Sequence, residues 1–234
     1  MSITDRLIGL IFSDISICFV LPLIFGALII AFPTVIADFL ATIKVSFPSW
    51  LWGGPEIPLQ YIFTFGVAQG LLSCGIPIFL GLAWNRWAGG ASGFLLSVLF
   101  VVGMGVNYGQ YFIPTMDWLG VIVSGMLAGY IAGALMQRSR MLGNTSLKIM
   151  LLWSIVAAIV AIVFTTQTYI WYSPMFKMST QPPIGTNPEG LTYIDSVTYN
   201  YFINIVIYGV WSILGVIVAK VASWFGIPKM PEYT

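Results

Sequence analysis

Six apolar runs, most of them longer than about 20 residues, are strung along this chain of 234 residues. A helix must devote about 20 residues to crossing a hydrocarbon slab of ~30 Å, since each residue rises only ~1.5 Å. Within that slab every backbone N–H and C=O has to find its partner inside the protein, which a helix does by itself. A lipid-facing β-barrel would instead show short segments of alternating hydrophobicity. The expected fold is an all-α integral membrane protein: a six-transmembrane-helix bundle forming a single domain over residues 1–234.

The spans are expected near 15–42, 59–84, 89–108, 115–136, 147–169 and 199–225, the first interrupted by Pro22 and Pro33. Residues 1–14 read as a short interfacial helix, and 170–198 as a long extracytoplasmic loop. Arg6 before an apolar run resembles a leader peptide, but the run is too long for one, so a retained first helix is expected. Charged residues make up only 7% of the chain. A soluble domain carries roughly a quarter, so a water-facing surface could not be covered.

The few charges are lopsided. Arg6, Arg86, Arg138, Arg140, Lys148, Lys220 and Lys229 fall on one side of a six-span pattern, and only Lys44 and Lys177 fall on the other. By the bias of Lys and Arg toward the cytoplasm, this places a multi-pass protein in the cell membrane with both termini cytoplasmic. The lipid bilayer is its first partner. With a formal charge of only +1, nothing points to nucleic acid.

The chain has no histidine. Its absence removes the commonest general base and the usual haem and zinc ligands. Cys18 and Cys74 lie within predicted spans without metal-ligand spacing and read as buried thiols. Neither an enzyme nor a bound cofactor or metal is expected.

Two patterns stand out within the spans. Gly125, Gly129 and Gly133 recur every four residues in SGMLAGYIAGALM, a spacing that lets helix backbones approach closely. Asn200, Asn204, Tyr208 and Trp211 step by four, four and three, which puts them on one helical face, with Tyr201 at its border. Amides are costly in hydrocarbon, so that face should point into the bundle. Gln167, Tyr169, Trp171 and Asn107 are expected near the same outer end. Together these side chains either line a neutral, aromatic-rich pocket for a small-molecule solute or hydrogen-bond between helices without a ligand.

The chain resembles the substrate-binding S components of energy-coupling factor transporters. The resemblance rests on the six spans with cytoplasmic ends and the Ala27/Ala31 pair in GALIIA. The hairpin WNRWAGGASGFLLSVLF and the ending GYIAGALMQRSR add to it. It implies a membrane-embedded subunit that binds a vitamin-like organic solute near the outer face. It also implies partners, a transmembrane coupling subunit and ATPases, with Ala27 and Ala31 as the docking pair. Cytoplasmic partners that use charge should meet Arg86, Arg138 and Arg140. The prolines at 174, 182, 183 and 188 and the missing histidine-rich terminus depart from the family's pattern. The alternative is a non-catalytic structural or accessory subunit of a larger membrane complex, whose glycine faces are assembly surfaces.

Overall fold

The computed structural model describes residues 16–35, 37–46, 57–108, 116–175 and 193–224, and these are mostly helical. A wide helical turn, Ser16–Val20, leads into α1 (Leu21–Val35), followed by the short α2 (Ala37–Thr42). Pro22 sits in the first turn of α1, where a missing N–H leaves no helical bond unmade. Two short strands, β1 (Lys44–Val45) and β2 (Ile57–Pro58), pair antiparallel, with Lys44 opposite Pro58 and Val45 opposite Ile57. They pinch the base of the connection after the first helix.

The five long helices follow: α3 (Ile62–Ala83), α4 (Arg86–Tyr108), α5 (Met116–Met141), α6 (Leu147–Met175) and α7 (Tyr193–Trp224). Each contains a stretch long and apolar enough to cross a membrane, giving five among the described residues; Leu21–Ala31 is a shorter apolar helix. The expected interfacial helix at 1–14 lies outside the described residues. The first expected span, 15–42, is divided between α1 and α2, and α1 ends two residues after Pro33. The expected loop at 170–198 is shorter than its sequence suggests: helix occupies 170–175 and 193–198. Turns of helix at a membrane boundary keep backbone groups bonded where water is scarce, even through aromatic and proline-bearing sequence.

Local signals set the turns at the basic end. Asn85 Oδ1 accepts from the Ala88 N–H at 2.8 Å and caps α4, which starts three residues earlier than expected. At the end of α5, Gly143 adopts φ +72° and its N–H donates to the Arg140 carbonyl at 2.9 Å. The Asn144 N–H donates to the Ser139 carbonyl at 2.9 Å, completing a left-handed stop that a residue with a side chain adopts only under strain.

Helix α5 is the centre of the bundle, flanked by α3, α4 and α6, while α7 packs on α3 and α6 and α1 lies against α4. The contacts of α5 run along its glycines. A Cβ on Gly129 would collide with the Gly89 backbone; one on Gly93 would strike the Gly125 carbonyl. A Cβ on Gly133 would lie 2.5 Å from Arg86 Cα. Because lipid offers no hydrophobic drive for helices to associate, this backbone proximity and the dispersion contacts it permits hold the helices together. One apolar cluster fills the space between α3, α5, α6 and α7, around Ile78, Leu82, Ala128, Ala132, Ala161 and Val216. A second, around Leu72, Leu96, Phe100 and Val121, joins α3, α4 and α5 and carries Ile29 and Ile30 of α1. The large apolar side chains left outside, among them Leu28, Phe94, Ile159 and Ile213, form an apolar outer surface of the kind that suits lipid.

Candidate functional site

The polar groups of the bundle interior converge on α7. Tyr208 is fully buried. Its hydroxyl lies 3.4 Å from Ser73 Oγ of α3, Ser124 Oγ of α5 and Thr165 Oγ1 of α6. These separations exceed the ~2.7 Å of a strong O–H···O bond, so each contact is a weak one. Ser124 donates to its own helix at the Val121 carbonyl, 2.9 Å away, and Ser73 donates to the Gln69 carbonyl. Ser73 Oγ is also placed to donate to the Tyr208 hydroxyl, while Ser124 can accept from it. On α4, the buried Ser97 hydroxyl has no hydrogen-bond partner among the described residues and lies against Gly125, next to Ser124. Each of the five long helices thus contributes one buried hydroxyl to this level of the bundle.

Above Tyr208, on the side away from the basic end, amides pair across α6 and α7. Asn204 Nδ2 donates to Thr166 Oγ1 at 3.1 Å, and Gln167 Nε2 donates to the Tyr201 hydroxyl at 2.8 Å. Tyr201, Asn204 and Gln167 are each partly exposed. One turn below Tyr208, the Trp211 indole donates to the Gly66 carbonyl at 2.8 Å. That carbonyl belongs to the wide-turned part of α3, Ile62–Gln69. Wide turns loosen the regular helical ladder and are common where a helix meets a function or an intruding group. Gly70 leaves room for the same indole: a Cβ there would sit 2.6 Å from its Nε1.

The structure thus brings Tyr201, Asn204 and Gln167 together along the α6–α7 seam, with Tyr208 at the centre of the bundle and Trp211 turned onto α3. The positions of Asn107, Tyr169, Trp171 and Asn200 fall in helices, but their side chains lie outside the described residues. Ser73, Ser97 and Thr166 were not singled out by sequence reasoning. Serine and threonine are common in membrane helices and usually bond to their own backbone, so no local pattern marks the few that face a tyrosine.

The basic residues divide by geometry. Arg140 is folded back on the end of α3, donating to the carbonyls of Leu82, Ala83 and Trp84. The guanidinium of Arg86 lies over the rings of Trp87 and Tyr130, 5.6 and 5.9 Å from their centroids. Arg138 and Lys148 are exposed. On α1, Ala27 and Ala31 are exposed while Gly26, between Leu96 and Leu99 of α4, is buried. Among the described residues no group of three or more Cys, Asp or Glu side chains is placed to hold a metal ion. Comparison with protein-family models, curated proteins and solved structures finds no match for the chain.

Proposed function

We propose that this chain is a six-span solute-binding subunit for uptake of a small organic solute, working with a transmembrane coupling subunit in the manner of energy-coupling factor S components. The reading is carried by the seam of partly exposed, neutral polar side chains on α6 and α7: Gln167, Tyr201 and Asn204. Amides within a span are costly in lipid and gather where they face a partner or a ligand. With the basic end cytoplasmic, this seam opens outward, toward Tyr169, Trp171, Asn200 and Asn107. Their aromatic and amide groups suit a flat, weakly charged solute held by stacking and hydrogen bonds. The exposed Ala27 and Ala31 of α1 fit close approach by a coupling subunit.

A second reading, a structural or accessory subunit of a larger complex, is favoured by one observation: Tyr208 is fully buried, and its hydroxyl lies against hydroxyls of three neighbouring helices. Native mass spectrometry after gentle solubilisation separates the two. The solute reading expects a retained small molecule, lost in Asn204→Leu, together with co-purifying ATPase subunits. A stable assembly without ATPases, carrying no small molecule, would reject it in favour of the structural reading.

A further inference from the structure

The corner where α4 leaves its cap is built differently from the rest of the lipid-facing surface. Trp87 is 64% exposed, and its ring meets that of Tyr130 edge-on, at 5.5 Å and 70°. The Arg86 guanidinium lies over both rings, and Arg140 is bound to the carbonyls immediately before it, at Leu82, Ala83 and Trp84. In the described stretches the only acidic residues are Asp38, Asp117 and Asp195, all at the opposite end of the bundle. Arg86, Arg138, Arg140 and Lys148 therefore share this end without a carboxylate among the described residues.

Exposed apolar side chains continue along the bundle from this charge. Phe94 lies seven residues beyond Trp87, on the same face of α4, and is 47% exposed. Met126 lies one turn from Tyr130 on α5 and is also exposed. Between the two helices is Gly90, where even a Cβ would come within 3.2 Å of Tyr130 Cβ. A larger residue there would displace the tyrosine ring from its place beside Arg86.

We propose that this corner binds an anionic glycerophospholipid. Its phosphate lies against Arg86 at the collar of Trp87 and Tyr130, and an acyl chain follows Phe94 and Met126. Charge complementarity calls for an anion, and cationic pockets between spans commonly hold acidic headgroups. The exposed apolar side chains beside the guanidinium favour a lipid: an acyl chain packs against Phe94 and Met126, whereas an acidic protein segment engages the charge alone. An aromatic ring at the headgroup level suits a ligand that is polar at one end and apolar along the other.

Native mass spectrometry of the full chain in mild detergent, titrated with phosphatidylglycerol or phosphatidylcholine of identical acyl chains, tests this. Wild type should retain phosphatidylglycerol at least about fivefold better, a preference that falls to within about twofold in Arg86→Gln and persists in Lys220→Gln. Trp87→Leu, a change at an exposed position that leaves the fold in place, should lose part of the preference and serves if Arg86→Gln does not fold. Equal retention of both lipids by wild type would overturn the proposal. So would an unchanged preference in Arg86→Gln or Trp87→Leu, or an equal loss in Lys220→Gln, which would reduce the effect to overall charge. Displacement of the bound lipid by a short polyglutamate peptide, with no dependence on acyl chains, would assign the corner to an acidic protein segment instead.

Discussion

The Arg140 guanidinium donates to the Trp84 carbonyl at 3.3 Å, fastening the end of α5 to the end of α3. The carbonyls at the end of a helix have no partner within it and carry the negative end of its dipole, so a cation there supplies hydrogen bonds and charge together. Arg140→Gln should lower stability by about 2 kcal/mol, the usual worth of charge-assisted hydrogen bonds. Arg140→Lys should recover only part of this, because an ammonium lacks the planar fork that reaches several carbonyls at once. Thermal melting in a fixed detergent reads both; a neutral Arg140→Gln would show the contact to be incidental.

Gly129→Ala should destabilise by about 1–3 kcal/mol, since its Cβ would meet the backbone of Gly89 and no side chain can rotate away. Gly209→Ala is the contrast. Nothing lies within 4 Å of a Cβ there, so this change should be neutral or raise stability by up to about 1 kcal/mol through helix propensity. The pair, measured side by side, separates steric from conformational effects.

Tyr208→Phe should cost about 1 kcal/mol or less, because Ser73 and Ser124 keep their own-helix partners and only long contacts are lost. Tyr208→Ala should cost about 3–5 kcal/mol, as removing a fully buried ring leaves a cavity. A large effect of Tyr208→Phe in melting experiments would mean that the hydroxyl holds the helices more firmly than its distances imply.

Asn204→Leu removes one interhelical hydrogen bond, to Thr166, and should change stability by only about 0.5–1 kcal/mol. Retention of a co-purified solute should nevertheless fall at least about tenfold if Asn204 contacts it, the loss expected when a pocket's polar group is left without its partner. Stability and retention falling in proportion would mark the residue as a packing element alone.

In a Cys18→Ser background, Cys74 should resist a maleimide reagent in the folded protein and label fully after unfolding in SDS. Its side chain is fully buried between α3 and α7, with Sγ donating to the Tyr208 carbonyl at 3.5 Å. Rapid labelling of folded protein would place a water-filled path beside Tyr208.

The spans expected at 59–84, 89–108, 115–136, 147–169 and 199–225 correspond to α3 through α7, with ends that move by a few residues. Three of the differences have local causes, while α6 and α7 also reach into the stretch expected as a loop. Asn85 starts α4 early, Gly143 stops α5 late, and α1 ends shortly after Pro33. The helical face holding Asn204, Tyr208 and Trp211 was legible from spacing alone, as was the four-residue glycine period of α5. What they touch was not. Ser73, Thr165 and Tyr208 lie far apart in the chain, and no periodicity within one helix indicates which face of another it will meet.

Hydropathy and charge act on each segment through the solvent, whatever its neighbours are. The order of residues alone was therefore enough to mark helices long and apolar enough to cross a membrane, with most of the basic residues gathered at one end. How those residues are used came from the packing: Arg86 lies over aromatic rings, Arg140 on the carbonyls of α3, and Arg138 is left exposed. The packing likewise decided that the glycines of α5 meet backbone from α4 and α3, and that Tyr208 sits among three hydroxyls. Those outcomes depend on the relative depth and rotation of packed helices, which are set by many contacts at once and by no single segment.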